Sequence, residues 1–168
     1  VGEKLGKDVV RFIMLTRKND APLDFDFTKA AEQSRDNPVF YVQYANARIC
    51  SVRRRIKLNA TLSRPADTSD LVRLEHPDEL ALVRLLADWP RQVEAAAGTC
   101  EPHRLAFYLY DLVTLFHAYW NLGNEKKEFR FVPKNGNLNN SRLILLQALA
   151  IVIKNGMSIL GVSTPSKM

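Results

Sequence analysis

Apolar residues recur at intervals of three and four along most of the chain, which is the spacing of one face of an α-helix. This pattern predicts short helices over 7–16 and 27–34, and longer helices over 38–62, 77–98, 101–122 and 141–160. The helix over 101–122 is apolar on several faces, so we expect it at the centre of the molecule. Because strands are not evident, the sequence predicts an all-α helical bundle.

Proline and glycine mark the ends of these helices. Asn37 followed by Pro38 is a cap residue before a first-turn proline, which is typical of a helix start. Pro90 lies inside the second long helix and should kink it or divide it in two. The segment 63–76 is predicted to be a loop, and 123–140, which is polar and contains two glycines and one proline, a mobile insertion.

The helix over 38–62 carries two distinct stripes when its residues are projected around the helix axis. The core-facing stripe consists of Val42, Ala45, Ile49, Val52 and Ile56, and a neighbouring stripe of Tyr41, Tyr44, Arg48 and Arg55. Aromatic rings stack on unpaired bases, and arginines bind phosphates or base edges, so the second stripe suits single-stranded nucleic acid. The alternative is a half-buried wall of tyrosines beside a solvated basic face.

Basic charge is concentrated on the same helix. The formal net charge is +6, and residues 48–64 hold six basic side chains and no acidic one, namely Arg48, Arg53, Arg54, Arg55, Lys57 and Arg64. Residues 65–101 hold eight acidic and three basic side chains, a net charge of −5, and are expected to face away from a nucleic acid. Such a basic patch indicates an anionic partner, and we expect Arg53, Arg54 and Lys57 to contact its backbone.

Residue patterns for catalysis are missing from the sequence. It has no GxxxxGK[ST], GxGxxG or GxSxG motif, and His76, His103 and His117 lack metal-ligand spacing, so no metal site is expected. We interpret His117 as a hydrogen-bonded structural histidine rather than a base. Cys50 and Cys100 are not spaced as a metal pair, which fits a reducing cytoplasm, and Cys50 is predicted to be an inert buried thiol.

Two functions outside nucleic-acid binding stay open at this point. Asp24 and Asp26 flank Phe25 and could be an acid–base pair or a cation site, although a helix cap with Phe25 as a loop anchor is the better interpretation. A helical hydrolase would combine these carboxylates with His117. An interaction module would instead use the aromatic side chains to grip a partner protein.

The length and the termini place limits on the class of protein. With 168 residues, 46% of them apolar, the chain can form one domain with a substantial core. No run reaches the roughly 18 apolar residues that a membrane span needs, since the run over 143–153 is interrupted by Gln147. The polar N-terminus has no signal core, and a start at Val1 rather than Met suggests a fragment.

Five segments, in order and with matching spacing, resemble the C-terminal part of bacterial arginyl-tRNA synthetases. They are GKDVVRF (6–12), MLTRKNDAPLDFDF (14–27), DNPVFYVQYANARI (36–49), EPHRLAFYLYDL (101–112) and NGMSILGVSTPSKM (155–168). The resemblance implies that 1–27 is the end of the connection from a catalytic domain and 28–168 a helical anticodon-binding domain of the DALR type. The DALR segment itself is loosely kept, as RLILLQAL over 142–149.

The resemblance also implies the activity, partners and location of the parent enzyme. HIGH-like and KMSKS-like motifs are missing from this sequence, so the sites for arginine and for ATP with Mg would lie in an N-terminal catalytic portion. The fragment alone would be inactive and would need no cofactor. Its partner would be arginine tRNA, neither DNA nor a membrane is expected, and the parent enzyme would be monomeric and cytoplasmic.

Site residues are carried over by position from the same resemblance. The YVQYAxxR helix, the aromatic end of the later helix and the terminal methionine of the family contribute to its anticodon-loop surface. In this chain they correspond to Tyr41, Tyr44, Arg48, Phe116, Trp120 and Met168, to which the projection adds Arg55. Where the family often has a histidine this chain has Asn46, so a contact that depends on that imidazole is not carried over.

Overall fold

The computed structural model describes residues 6–17, 30–32, 37–58, 73–132 and 139–168, with the backbone alone at 57 and 58. In these ranges the chain forms α1 (Lys7–Leu15), α2 (Pro38–Leu58), α3 (Pro77–Thr99), α4 (His103–Glu125) and α5 (Asn140–Ile159). A 3-10 turn, Lys127–Phe129, follows α4. Since the described residues contain helices and no strand, the all-α prediction is confirmed.

Helix α4 lies at the centre of the bundle, as the sequence predicts. Its buried side chains include Tyr108, Leu109 and His117, which contact α3, α5 and α2 respectively. Gly156 of α5 lies so close to Leu109 that an added Cβ would be 2.8 Å from its Cδ2. The missing side chain therefore lets α4 and α5 pack closely.

Side-chain contacts show how α2 and α3 run relative to α4. Tyr41 and Arg48 of α2 lie beside Tyr110 and Trp120, so α2 and α4 run in the same direction. The Tyr108 hydroxyl donates to the Leu85 carbonyl at 2.7 Å, and Tyr119 contacts Glu79, so α3 runs antiparallel to α4. Within the described residues the acidic α3 packs on α4 and α5 and not on α2, which keeps the acidic and basic helices apart.

Helix α3 begins with a capping box and continues without a break past Pro90. His76 Nδ1 accepts from the Asp78 N–H at 3.2 Å, and the Glu79 carboxylate accepts from the His76 N–H at 3.2 Å. The predicted division at Pro90 does not occur, because α3 is continuous from Pro77 to Thr99. Pro90 is exposed, so water can hydrogen-bond to the carbonyl left unpaired one turn earlier.

A buried carboxylate joins α3, α4 and α5. Glu79 is 1% exposed and accepts hydrogen bonds from Arg142 Nε at 2.6 Å and from the Tyr119 hydroxyl. Burial acts to raise the pKa of Glu79, but hydrogen bonds from Tyr119, Arg142 and the His76 backbone outweigh it and lower the pKa. Burial and the bond to Glu79 raise the pKa of Tyr119, so its hydroxyl keeps its proton and donates.

The described part of the predicted mobile insertion, 123–132, is tied to the bundle. Helix α4 continues to Glu125, past the predicted end at 122. Arg130 Nε donates to the Gly123 carbonyl at 2.8 Å, and Arg142 Nη1 donates to the Glu128 carbonyl. A Cβ on Gly123 would be 3.2 Å from the Phe129 oxygen, so this position needs a very small residue. These contacts hold 123–132 against the bundle, the predicted mobility of the segment stays a prediction, and 133–138 lie outside the described residues.

Other predicted segments are described only in part. The helix over 27–34 and the loop over 63–76 are described only at 30–32 and 73–76. Asp24, Phe25 and Asp26 lie outside the described residues, and so does the end of the predicted helix over 38–62, beyond Leu58. For these segments the sequence-based expectations stay predictions.

Helix α5 is the most apolar helix of the described chain. By length and composition it could cross a membrane, and half of its most apolar window is buried inside the bundle. A core helix meets the same criteria, and Leu145, Leu149 and Ile153 bury their side chains in the core. Gln147 interrupts the apolar run over 143–153, but the mean hydropathy of the longer window stays high.

The buried Glu79–Arg142 pair predicts a large loss of stability when one partner is removed. Arg142→Met keeps an apolar side chain along the path of the arginine stem but leaves a buried carboxylate without its cation, so we expect the free energy of unfolding to fall by about 3–5 kcal/mol. The matched control is Arg104→Met, which removes an exposed pair with Glu101 and should have a much smaller effect. Urea unfolding followed by circular dichroism measures both, and equal losses would contradict this role of the buried pair.

Candidate nucleic-acid interface

Side chains from α2 and α4 meet in one group, the aromatic–arginine cluster, formed by Tyr41, Tyr44, Arg48, His117 and Trp120. The guanidinium carbon of Arg48 lies 4.5 Å from the ring centroid of Tyr44 and 5.1 Å from that of Trp120. Arg48 therefore makes a cation–π contact with a ring from each helix. The parallel packing of α2 on α4 brings these predicted residues together.

His117 holds the centre of this cluster. Its Nδ1 lies 3.1 Å from Arg48 Nη1, and its Nε2 lies 3.2 Å from the Tyr41 carbonyl oxygen. A guanidinium can only donate and a carbonyl can only accept, so the imidazole is neutral and carries its hydrogen on Nε2. Burial lowers the pKa of His117 to about 4, with the positive charge of Arg48 acting in the same direction against the Tyr41 carbonyl bond.

The tyrosines give the cluster an accessible aromatic surface. Tyr44 is 43% exposed and stacks on His117 with a centroid distance of 5.8 Å, whereas Tyr41 is half-buried. Tyr110, also exposed, lies with its ring centroid 5.5 Å from that of Tyr41. Tyr110 was not among the residues predicted from the sequence. It precedes His117 by two helical turns, so the two residues share one face of α4, and this spacing could have identified it.

Phe116 occupies a different place from the one predicted. Its side chain is fully buried, so no base can stack on its ring in this structure. It packs against Trp120 with a centroid distance of 5.9 Å and against Phe131 at the same distance. Phe116 therefore supports Trp120 from inside the core, and we correct the direct contact that the sequence analysis assigned to it.

The C-terminal tail, residues 162–168, runs along α2 on the far side of its core-facing stripe from the tyrosines. Gln43 Nε2 donates to the Ser163 carbonyl at 3.0 Å, Asn46 Nδ2 to the Pro165 carbonyl at 2.9 Å, and Arg54 Nη1 to the Ser166 carbonyl at 3.0 Å. These contacts follow α2 in its own direction. The tail is thus held parallel to the helix that carries most of the predicted site residues.

Helix α1 and the end of α5 hold the start of this tail. The Asp8 carboxylate accepts from the Ser163 N–H at 3.2 Å and from Gln43 Nε2 at 3.3 Å. Arg11 Nε donates to the Leu160 carbonyl at 2.6 Å. Gly161 takes a positive φ of 66° after α5, a backbone conformation that favours glycine, and it lies against the Arg11 side chain.

The tail changes the interpretation of two predicted positions. Asn46 is fully buried and binds the tail, so its side chain cannot reach an RNA in this structure. Met168 is 58% exposed and follows Ser166 by two residues. The described contacts tie its segment to the flank of α2 away from the tyrosines, so the predicted role of Met168 in the site stays a prediction.

The basic residues at the end of α2 point in different directions. Arg53, Arg54 and Arg55 are exposed, and the Lys57 side chain lies outside the described part of the chain. Arg54 binds the tail through Nη1, as noted above, whereas Arg55 lines a pocket of about 270 Å³ between α2, Trp120 and the segment 123–132. These arginines extend the positive surface of the cluster along the helix.

The described residues offer no catalytic or metal-binding arrangement. Among them, no group of three or more His, Cys, Asp or Glu side chains could hold a metal ion. Both ring nitrogens of His117 are engaged, so this histidine cannot serve as the base of a hydrolase in this structure. Cys50 is half-buried rather than fully buried, and Cys100 is exposed; both thiols are free.

Comparisons with known proteins agree on one family. The profile for "DALR anticodon binding domain" matches residues 42–168. The arginine–tRNA ligases of Cereibacter sphaeroides and Ruegeria pomeroyi are 51% and 53% identical to the chain. Each match covers all of this chain and 29% of the relative. The chain therefore spans 29% of the length of these relatives.

Two solved structures share the fold. The arginyl-tRNA synthetase of Thermus thermophilus is 28% identical, with a TM-score of 0.75 over 98% of this chain and 27% of that protein. The Plasmodium falciparum enzyme is 23% identical, with a TM-score of 0.76 over 99% of this chain and 27% of that protein. The second likeness concerns the fold alone.

The neutral state of His117 predicts a dependence of stability on pH. The pKa of His117 is about 4 in the folded chain and about 6.5 in the unfolded chain, where the imidazole is in water. As the pH falls, the unfolded chain therefore takes up a proton first. Between about pH 7.5 and about pH 5, the folded chain should lose about 2 kcal/mol of stability from this group. His117→Gln removes the titration. Urea unfolding at both pH values should show a smaller loss in the variant, and equal losses would contradict the neutral imidazole.

Proposed function

Because the chain belongs to the DALR anticodon binding domain family, we propose that its aromatic–arginine cluster binds the anticodon loop of arginine tRNA. The observation that carries this proposal is the placement of Arg48. Its guanidinium lies against two aromatic rings and donates a hydrogen bond to a neutral histidine. A guanidinium fixed in this way keeps its full charge beside exposed aromatic surface. Proteins bind the unpaired bases and phosphates of RNA loops through this combination of charge and stacking surface.

In the proposed complex the loop unstacks and its bases lie against the exposed rings. Tyr44 and Tyr110 offer accessible ring surface, Tyr41 lies half-buried beside Tyr110, and Trp120 is half-buried beside Arg48. Stacking a base on an aromatic side chain contributes about 1–3 kcal/mol. Arg48 would donate to a phosphate or to the edge of a base, so it contributes both affinity and orientation.

The basic end of α2 would hold the RNA backbone next to these bases. Arg53 and Arg55 are exposed, and we assign them, together with Lys57, to phosphate contacts that position the loop. The acidic α3 packs on α4 and not on α2 within the described residues, so it does not oppose an approach of RNA to this side. The charge distribution thus favours one face for binding.

We further propose that the chain serves as the C-terminal domain of an arginine–tRNA ligase of the cytoplasm, acting as a monomer. The relatives are arginine–tRNA ligases, and the chain corresponds to 29% of their length. Joining arginine to tRNA with ATP and Mg would take place in the rest of that enzyme. Neither the sequence motifs nor the described side chains of this chain fit ATP or Mg, so we assign no catalytic step to it.

An interaction module that grips a protein is the remaining alternative. It would use the same exposed rings, but it does not explain why a guanidinium is fixed among them and continued by further arginines. We propose RNA as the partner rather than DNA or a membrane, because the exposed rings and arginines suit the unpaired bases of an RNA loop. The two functions differ in their dependence on salt and on the anticodon sequence.

Single substitutions in a full-length ligase that carries this chain test the proposal. Tyr44→Ala and Arg48→Ala should each weaken binding of arginine tRNA by about 5- to 150-fold, because each removes a base or phosphate contact. Arg91→Ala, which removes an exposed arginine from α3, is the control of equal charge and should have little effect. Filter binding at several salt concentrations measures the affinity and its salt slope, which should fall by about one for Arg48→Ala if it contacts a phosphate.

A tRNA with a changed anticodon separates specific from general binding. The wild-type ligase should prefer arginine tRNA over this tRNA, and Tyr44→Ala and Arg48→Ala should reduce the preference. Equal binding of both tRNAs by the wild type, or unchanged affinity in both variants, would overturn the proposed function.

A further inference from the structure

The carboxylate of Asp8 joins three parts of the chain, namely α1, α2 and the C-terminal tail. We propose that Asp8 is a positioning residue for arginylation, because it fixes α2 against α1 and thereby orients the bound tRNA relative to the rest of the ligase. This inference rests on the proposed function. It concerns the flank of α2 away from the tyrosines of the aromatic–arginine cluster, and it adds no contact to RNA.

One oxygen atom of Asp8 receives three donors from two other elements. Asp8 Oδ2 accepts from the Ser163 N–H at 3.2 Å, from the Ser163 hydroxyl, and from Gln43 Nε2 at 3.3 Å. Gln43 Nε2 also donates to the Ser163 carbonyl at 3.0 Å, which closes a ring of contacts among the three residues. Because a charged acceptor forms stronger hydrogen bonds than a neutral one, the carboxylate is the strongest link in this ring.

The ring is part of a longer seam between α1, α2 and the tail. Three residues beyond Asp8 on α1, Arg11 Nε donates to the Leu160 carbonyl at 2.6 Å. Further along the tail, Asn46 Nδ2 of α2 donates to the Pro165 carbonyl at 2.9 Å. The first helix of the described chain and its last residues are therefore held together on one flank of α2.

Residues that bind the tail alternate with residues of the cluster along α2. Gln43 directly precedes Tyr44, and Asn46 precedes Arg48 by two residues. Because backbone hydrogen bonds make a helix stiff over so short a distance, a displacement of α2 at the seam would move Tyr44 and Arg48 as well. In the proposed C-terminal domain α1 comes first along the described chain, so Asp8 links the RNA-binding helix to the side of the domain that follows the rest of the ligase.

Such a link acts on the reaction more than on affinity. If α2 shifts relative to α1, the cluster still binds the anticodon loop, but the end of the tRNA that accepts arginine is misplaced at the catalytic site. A misplacement of about 1 Å can lower the rate of a reaction by about 100-fold. A positioning role therefore predicts a fall in kcat with little change in the Kd for tRNA.

The experiment substitutes Asp8 in a full-length ligase that carries this chain. Asp8→Ala removes the acceptor and should lower kcat for arginylation at saturating tRNA by about 10- to 100-fold, with little change in Kd by filter binding. Asp8→Asn restores an oxygen at this position and should recover most of kcat. The matched control is Asp88→Ala, because Asp88 also accepts from a glutamine, Gln92, but within its own helix. This control should leave kcat and Kd unchanged.

A second variant tests the same contact from α2. Gln43→Leu removes the donor to Asp8 and to the tail, so it should lower kcat in the same way. In the double variant of Gln43→Leu and Asp8→Ala, the loss of kcat should be smaller than the product of the two single losses, because both remove one shared contact. Circular dichroism compares the folding of all variants with that of the wild type.

The outcomes separate this inference from the proposed function. An unchanged kcat in Asp8→Ala, or a loss of kcat that equals the fraction of unfolded enzyme, would show that Asp8 only stabilises the fold. A weaker Kd with an unchanged kcat would also overturn the inference. In these cases Tyr44→Ala and Arg48→Ala would still weaken binding, and the proposed function would stand. If those two variants bind normally, both proposals fail.

Discussion

The interaction on which the proposed site depends is the bridge that His117 makes between α2 and α4. One ring nitrogen accepts from Arg48 and the other donates to the Tyr41 backbone, so a single imidazole fixes both the guanidinium and the helix that carries it. The bridge requires a neutral imidazole, since a protonated one would present a second donor to Arg48. Burial in the packed interface keeps His117 neutral, because the charged form loses its hydration there.

Two further sets of contacts hold the surroundings of this bridge. The Glu79–Arg142 pair links three helices, with Tyr119 of α4 donating to Glu79, and Arg142 also holds the turn beside the pocket that Arg55 lines. On the other flank of α2, Gln43, Asn46 and Arg54 bind the C-terminal tail. Helix α2 is therefore fixed on both sides, and its exposed Tyr44, Arg53 and Arg55 face solvent.

Much of this arrangement follows from the sequence, because helical periodicity is a local property. Projection of α2 alone separated the core stripe from Tyr41, Tyr44 and Arg48, and the structure brings those three together. Exposure depends on packing between helices, so sequence could not show that Phe116 is fully buried or that Asn46 binds the tail. The polar composition of 123–140 predicted a mobile insertion, and composition could not show that Arg142, from α5, hydrogen-bonds to the Glu128 carbonyl within it.

We propose that His117 contributes to RNA binding through Arg48, and a double-mutant cycle measures this coupling. Affinity for arginine tRNA is measured for the wild-type ligase, His117→Ala, Arg48→Ala and the double variant, with circular dichroism to compare their folding. His117→Ala is expected to weaken binding in the wild type and to have little further effect when Arg48 is already replaced. Losses that simply add in the double variant would contradict it, because His117 would then act independently of Arg48.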